Sequence, residues 1–88
     1  MAIEFPNLSR RYDATRRCVR FSGYDGALER PFFLEEEALW GLDKLARSGG
    51  DALLAAFDRH RDQICKVAAR VYGHGRVGSY TLRPEDFA

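Results

Sequence analysis

Residues 51–72 read DALLAAFDRHRDQICKVAARVY, and this stretch decides how the rest of the chain has to fold. One stripe of residues recurs at spacings of three and four, which is the pattern of one face of an α-helix; its members are Leu53, Phe57, His60, Ile64, Val67, Ala68 and Val71. Charged residues four positions apart occupy the opposite side, where we expect solvent: Asp58, Asp62, Lys66 and Arg70. The spacing predicts a single amphipathic helix over 51–72, whose apolar face the other residues must cover.

Length and composition indicate one folded domain over residues 1–88. The chain has 45% hydrophobic residues and a formal net charge of +1, so it is neither disordered nor strongly drawn to polyanions. It contains no apolar run near eighteen residues, and its start lacks a basic region followed by an apolar one. We therefore expect no membrane span and no signal peptide. Two cysteines are too few for a disulfide framework, which favours the cytoplasm.

The first part of the chain predicts strands. A short extended segment over 8–12 comes first, and the alternation over 18–22 then indicates a half-buried strand. Asp25-Gly26 is a hairpin signal, so the strand over 28–34 should return beside it. Pro31 lacks an N–H and favours a position at a sheet edge or a bulge for that strand. The same alternation leaves Arg30 on the apolar side, where the sequence offers no reason for it.

The second part predicts helices and a last strand. Glu35-Glu36-Glu37 suit the first, solvated turn of a helix, and its buried stripe should comprise Ala38, Leu39, Leu42, Leu45 and Ala46. After the long helix, residues 76–83 alternate again as a final strand, and 84–88 should be an exposed tail unless Phe87 docks. The order β-β-β-α-α-β predicts an α+β fold, a two-layer sandwich with an antiparallel sheet of about four strands and two helices on one face.

Several short motifs near the start occur together: Phe5-Pro6-Asn7, Ser9-Arg10, Tyr12-Asp13, Arg16, Val19-Arg20-Phe21, Phe33-Leu34 and Ala38-Leu39. They resemble the DUF1488 family of small bacterial proteins (domain of unknown function 1488) over roughly the first 40 residues. The resemblance implies a bacterial source and a β-rich start followed by helices. It implies no catalytic residue, because the family has no assigned reaction. The chain departs from the family pattern at Arg30-Pro31 and in having Glu35 where a helix-capping Ser or Asp is usual.

The sequence contains no strong motif for nucleotide binding, metal binding or catalysis. Residues 73–78 satisfy G-x-G-x-x-G but follow a helix and enter a strand, the reverse of a dinucleotide site. Cys18, His60, Cys65 and His74 lack the close pairs of a zinc site, and we expect His60 to be partly buried with a nitrogen bonded to a neighbour. Cys18 or His74 could be the catalytic residue of an enzyme. The simpler interpretation of Cys18 is that it is a small residue that fills a strand position. We therefore expect no catalytic set, no metal and no cofactor.

Charge is segregated along the chain. Residues 9–24 contain five arginines and one Asp, 25–43 contain six acids and one Arg, and 44–83 contain eight bases and three acids. The first group is the candidate site for an anionic partner: Arg10, Arg11, Arg16, Arg17 and Arg20, with Tyr12 and Tyr24 between and beside them. Arginine forks match phosphates, and aromatic faces stack on bases. The other interpretation is that the acidic stretch neutralises the basic one in the fold.

Two functions remain from these patterns. The favoured one is a non-enzymatic binding or accessory module that contacts another protein, or a second copy of itself, through an exposed sheet face or an uncovered strand edge. The alternative is a weak nucleic-acid binder that uses the basic hairpin Arg10–Arg20, with an affinity that falls steeply with salt.

Overall fold

The structure, a computed structural model, describes residues 3–73 and 80–88. The strands are β1 (Arg10–Asp13), β2 (Cys18–Asp25), β3 (Leu28–Glu35) and β4 (Tyr80–Leu82). The helices are α1 (Glu36–Leu42), α2 (Gly50–Arg59) and α3 (Arg61–Gly73), and two short 3-10 helices occupy Lys44–Ser48 and Pro84–Phe87. No helix in the described part of the chain is long and apolar enough to cross a membrane.

The four strands form one sheet in the order β1-β2-β3-β4, which confirms the predicted α+β class. The first three strands are antiparallel, and a two-residue turn joins Asp25 to Leu28. Gly26 adopts φ +61° in this turn, which a residue without a side chain does at no steric cost. β4 runs parallel to β3, so the sheet is mostly antiparallel. Parallel pairing needs a crossover connection, and the helical segment between β3 and β4 supplies it.

Pro31 lies in a strand that has neighbours on both sides, so the expected edge position is wrong. The pair between Ser22 and Pro31 falls between hydrogen-bonded pairs of β2 and β3, which turns the nitrogen of Pro31 away from β2. On the other side, the described part of β4 begins only at Tyr80, opposite Phe32. The missing N–H of Pro31 therefore removes no bond from the β2–β3 ladder.

The predicted long helix is divided at His60, which has φ −110° and ψ +16° and ends α2. Its Nε2 lies 3.3 Å from Oδ2 of Asp43, as expected for a partly buried histidine bonded to a neighbour. Nε of Arg59 donates to the same Asp43 oxygen at 2.9 Å. Periodicity could not reveal this break, because the stripe keeps the same spacing through it. The predicted solvent row is exposed in both helices.

The core lies between the sheet and the helices, with strand residues such as Val19, Phe21 and Leu34 fully enclosed by helix residues such as Phe57. The expected burial of Leu45 is wrong, because 67% of this residue is exposed. α1 ends at Leu42, and Asp43 caps a 3-10 helix by accepting from the N–H of Leu45. The change from α to 3-10 geometry alters the spacing, so the stripe of α1 does not continue.

Arg30 lies beside Tyr72, a contact that the sequence did not suggest. Its guanidinium lies close to the hydroxyl of Tyr72, at the end of α3, and lowers the pKa of that hydroxyl. The same hydroxyl donates a hydrogen bond to the carboxylate of Asp25. That bond is the largest of the effects that raise the pKa of Tyr72. A charged residue on the apolar side of β3 thus lies at the rim of the core, where α3 meets the hairpin end.

The carboxyl end packs against the domain. Pro84–Phe87 forms a 3-10 helix, and Phe87 is partly buried against the core. Arg70 on α3 donates to the main-chain oxygen of Asp86. Three predictions concern residues outside the described ranges. They are the G-x-G-x-x-G motif after its first glycine, Gly73; the role of His74; and the part of the last strand before Tyr80.

Candidate binding face of the sheet

The sheet has an inner face on the helices and an outer face turned away from them. Because side chains alternate along a strand, the register places Val19, Phe21, Phe32 and Leu34 on the inner face, where they form the core. The outer face carries the residues between them; those used below are Arg11, Asp13, Cys18, Arg20, Ser22, Glu29, Phe33 and Glu35. This outer face is the candidate site.

The structure divides the predicted basic set, and Arg10 forms an ion pair within the fold. Its Nε and Nη2 donate to the two carboxylate oxygens of Asp58 on α2 at 2.9 and 2.8 Å. This fork-like pair raises the pKa of Arg10 and lowers that of Asp58. Arg61 also contacts Asp58, at 3.2 Å. Arg10 therefore joins the sheet edge to the helices through a carboxylate that it shares with Arg61.

Arg17 and Tyr12 are also engaged internally, by Glu36. Nε of Arg17 donates to Oε1 of Glu36 at 2.7 Å, and the hydroxyl of Tyr12 donates to Oε2 at 3.1 Å. The expectation of a solvated glutamate turn is wrong at Glu36, which is only 6% exposed. A buried carboxylate requires such partners, and β1 and the turn after it supply them. Tyr12 faces the helices and is not available to stack on a base.

Arg16 and Arg20 remain on the outer face, where both lie over the ring of Phe33. Their guanidinium carbons are 3.9 and 5.7 Å from the ring centroid, within the range of cation–π contacts. The two side chains leave Phe33 only 8% exposed. Phe33 therefore supports the arginines instead of offering a bare aromatic surface.

Arg11 and Arg20 are direct cross-strand partners on the outer face. Side chains in such a pair start about 5 Å apart at Cβ, and like charges in this arrangement destabilise a sheet. Within residues 3–73 and 80–88, neither guanidinium forms an ion pair with a carboxylate. The outer face thus carries a pair of positive charges that no direct ion pair neutralises within these ranges, with Asp13 and Glu35 on the same face.

A recess of about 370 Å³ lies next to this pair. It exists because the chain leaves the sheet edge: Glu4 pairs with Tyr24 and Arg10 with Phe21, so residues 5–9 stand opposite only Ser22 and Gly23. The side chain of Asn7 accepts from the N–H of Ser9 at 2.9 Å, a local turn that follows Pro6.

The walls of the recess are fixed by contacts on both sides. Phe5 packs on Phe21 and Phe32 inside the core, and Arg61 donates to the main-chain oxygen of Leu8 at 2.9 Å. The residues that face the recess and matter below are Ser9, Arg11, Arg20, Ser22 and Glu29. Because its walls are held in this way, the recess is a preformed feature of the outer face.

Tyr24 and Glu29 mark the far end of the outer face. They are cross-strand partners, four residues along β2 from Arg20, which is about 14 Å in an extended strand. Tyr24 is partly buried, and its main chain exchanges two hydrogen bonds with Glu4. Glu29 is exposed. The recess therefore has a positive end and a negative end.

The candidate nucleophile does not have an activated environment. Cys18 lies on the outer face but is only 2% exposed, and burial raises the pKa of its thiol. Burial raises the pKa of Cys65 as well. Within the described ranges, no three His, Cys, Asp or Glu side chains are grouped closely enough to hold a metal ion. The chemistry that this face offers is charge and hydrogen bonding.

Sequence reasoning missed Glu36, Phe33 and the recess at Ser22. The unbroken apolar run of residues 32–34 was the available signal for Phe33, since a strand with one polar face would have alternated there. Glu36 could not be separated from its neighbours, because helix-dipole arguments treat all three glutamates alike. The recess depends on where residues 5–9 leave the sheet, for which Pro6-Asn7 was the only local sign.

Comparison with known proteins supports the resemblance seen at the start of the chain. A search of curated proteins finds no match. Among solved structures, the chain is similar to a protein of unknown function from the DUF1488 family of Shewanella loihica PV-4. The TM-score is 0.81 and the identity is 16%, over 91% of this chain and 90% of the other. This likeness establishes the fold alone. A family model described as "Protein of unknown function (DUF1488)" matches residues 3–83, and the chain therefore belongs to the DUF1488 family.

Proposed function

We propose that this protein is a non-enzymatic binding module that contacts a protein partner through the outer face of its sheet. The observation that carries the proposal is the unequal use of the arginines. Arg10 and Arg17 are paired with carboxylates of the same chain, whereas Arg11 and Arg20 form a like-charged pair without such compensation in the described structure. Charged side chains without a direct ion pair, beside a preformed recess, are a feature of a recognition surface.

The buried cysteine supports binding in preference to catalysis. A nucleophilic thiol needs a lowered pKa and access to its substrate, whereas Cys18 is buried and its pKa is raised. Glu36, the buried carboxylate of the structure, is engaged by Arg17 and Tyr12. These contacts support a structural role for Glu36.

Nucleic-acid binding is the alternative function, and Arg11, Arg16 and Arg20 on one face favour it. Two features count against it. Of the predicted stacking residues, Tyr12 bonds to Glu36 and Tyr24 is partly buried, and the ring of Phe33 on the outer face is covered by Arg16. Glu29 also places a negative charge in the recess, where a phosphate backbone would be repelled. A protein segment with mixed charge fits this surface better.

Site-specific photo-crosslinking tests the proposed face. A photo-reactive amino acid replaces Ser22 on the outer face, and in a matched variant it replaces Asp62 on the exposed side of α3. Both variants are expressed in the native cells and irradiated, and crosslinked proteins are identified by mass spectrometry. Light scattering on the purified protein determines whether the partner is a second copy of the chain.

We expect crosslinks from the Ser22 position that are absent from the Asp62 position and that reappear with the purified partner. Replacing Arg11 and Arg20 together by Glu should abolish them, since it reverses the charge of the surface. Crosslinks that come equally from both positions, or that persist after the charge reversal, would contradict an outer-face docking site.

A further inference from the structure

The charged side chains of the outer face lie in two adjacent rows that cross the strands. The register places Asp13, Cys18 and Glu35 side by side in one row, the acidic row, and Arg11, Arg20 and Phe33 in the next, the basic row. Neighbouring rows are two residues apart along each strand, which is about 7 Å. Burial is the largest effect that raises the pKa of the Cys18 thiol, and Asp13 and Glu35 on either side raise it further. Opposite charges thus alternate along the strands.

Further charged groups border the two rows. Arg16 comes from the turn between β1 and β2 but reaches the basic row, where its guanidinium carbon lies 3.9 Å from the ring centroid of Phe33. Glu37 lines the same shallow cleft as Glu35, at the end of the acidic row. Arg83, next to β4, borders Glu35 with Nε 3.8 Å from Oε2, a loose contact. Within the described chain, the acidic row thus keeps carboxylates without a close ion pair, and the basic row holds three guanidinium groups.

This arrangement of charges is complementary to itself. A two-fold axis that crosses the strands between the two rows turns a second copy so that its acidic row lies over the basic row of the first, and the reverse. Because the axis runs across the strands, each strand faces the same strand of the other copy. Arg11 then faces Asp13 of the second copy on β1. On β3, Glu35 of the second copy faces Arg16 above the ring of Phe33. Sheets that pack face to face are about 10 Å apart, a distance that an arginine and a carboxylate side chain span together.

We propose that the outer face binds the outer face of a second copy of this chain, with the acidic row of each copy on the basic row of the other. The proposal rests on the proposed function and names the chain itself as the protein partner. Ion pairs between the copies would offset the repulsion between Arg11 and Arg20 that the single chain contains. Nucleic acid would satisfy the basic row alone and would be repelled by Asp13 and Glu35 beside it. A second copy satisfies both rows.

The face is small, so the dimer should be weak. β2 and β3, its longest strands, have eight residues each, which is about 27 Å, and four strands are less than about 20 Å wide. Such an area lies at the low end for specific interfaces. We therefore expect a dimer with a dissociation constant of roughly 10–100 µM. It should weaken as salt rises from about 50 to 500 mM, because salt screens exposed ion pairs.

Charge-changed variants of the full chain test the pairing of the rows. The acidic variant has Arg11→Glu with Arg20→Glu. The basic variant has Asp13→Asn with Glu35→Lys, and Asn keeps an oxygen to accept from the N–H of Arg16, as Asp13 does. Each variant alone should be monomeric, because its two rows no longer carry opposite charges. Mixed in equal amounts, the two should form a heterodimer, since each row then meets its opposite. Sedimentation velocity over a concentration series measures the masses, and recovery on mixing shows that both variants are folded.

Two glutamates of β3 provide a test that needs no charge reversal. Glu35→Gln should weaken the dimer about twofold to thirtyfold, because the two-fold axis makes each substitution remove its contact twice. Glu29→Gln should leave the dissociation constant unchanged, since Glu29 lies outside the paired rows. A further control exchanges the charges of two exposed α3 residues, Asp62→Lys with Lys66→Glu, and should also leave the dimer intact.

Other outcomes overturn the proposal in recognisable ways. A dimer that both charge-changed variants retain, a loss that mixing does not restore, or a stronger effect of Glu29→Gln than of Glu35→Gln would each contradict it. If the protein stays monomeric while the Ser22 position crosslinks to a different protein, the partner is not a second copy and the docking face stands. If the crosslinks fail as well, the proposed function is wrong. A monomer that binds a single-stranded RNA oligonucleotide, with binding lost in the acidic variant, would assign the arginines to nucleic acid.

Discussion

Cε1 of Phe5 lies 2.6 Å from the position that a Cβ on Gly23 would occupy. This close approach lets Phe5 enter the core beside Phe21 and Phe32, and it fixes one end of the segment that forms the recess. The hairpin strand β2 therefore needs a glycine in its interior, where it would otherwise weaken a strand. The predicted strand over 18–22 was too short, because β2 continues through Gly23 to Asp25.

Gly23→Ala should lower the free energy of unfolding by about 1–3 kcal/mol, because the added methyl group overpacks the site. Gly41→Ala is the matched control: a Cβ at this exposed helix position meets no atom within 4 Å. It should raise stability by about 0.5–1 kcal/mol through helix propensity. Urea unfolding of both variants checks the pair, and equal effects would contradict the close-packing argument.

Arg17 has φ +54°, in the left-handed region that non-glycine residues rarely adopt. It also forms the ion pair with Glu36. Arg17→Ala loses the pair and keeps the strain, whereas Arg17→Gly loses both. The Gly variant should therefore melt several degrees above the Ala variant, and the wild type should melt above Ala. Thermal unfolding followed by circular dichroism measures the three melting temperatures. A higher melting temperature for the Ala variant than for the Gly variant would contradict the prediction.

Acid should unfold the protein through Asp43 and Asp58. Hydrogen bonds from Arg59 and Arg10, respectively, are the largest effects that lower the pKa of these carboxyls below the ordinary value of 3.8. Their stabilisation is complete above the ordinary value and is lost as pH falls through the lowered ones. The urea midpoint should therefore decline steeply below about pH 4.

Asp43→Asn should make this acid-induced decline shallower, because the folded protein then has one fewer carboxylate to protonate. Asp62→Asn is the control, since Asp62 is exposed on α3 and its side chain forms no hydrogen bond or ion pair in the described ranges. Its pH dependence should match the wild type. A wild-type profile that stays flat to about pH 2 would show that these carboxylates do not govern acid stability.

Nucleic-acid binding should be weak, because Arg10 and Arg17 are already paired within the chain. We expect fluorescence anisotropy with labelled DNA and RNA to give a shallow salt slope, since each phosphate contact contributes roughly one unit to that slope. A steep slope that disappears when Arg11, Arg16 and Arg20 are replaced together by Glu would contradict this. It would support the basic hairpin as a nucleic-acid site.

The sequence by itself determined the class of the fold and the order of its strands and helical segments, but not the division of the long helix into α2 and α3. Alternation at residues 18–22, the Asp25-Gly26 turn and the spacing of Leu53, Phe57 and Ile64 are local signals, because the backbone period of a strand or helix is written into neighbouring residues. The family resemblance rested on the same stretch of strands and turns. These predictions are confirmed in the structure.

Only the tertiary structure decided which charges are free. Arg10 and Arg11 are neighbours in sequence, but the first meets Asp58 at the sheet edge and the second faces Arg20 across a strand pair. At the helix break, His60 likewise contacts Asp43, seventeen residues away. Ion pairs and strand neighbours join residues distant along the chain, so local periodicity carries no information about them. The candidate binding face is a product of those long-range contacts.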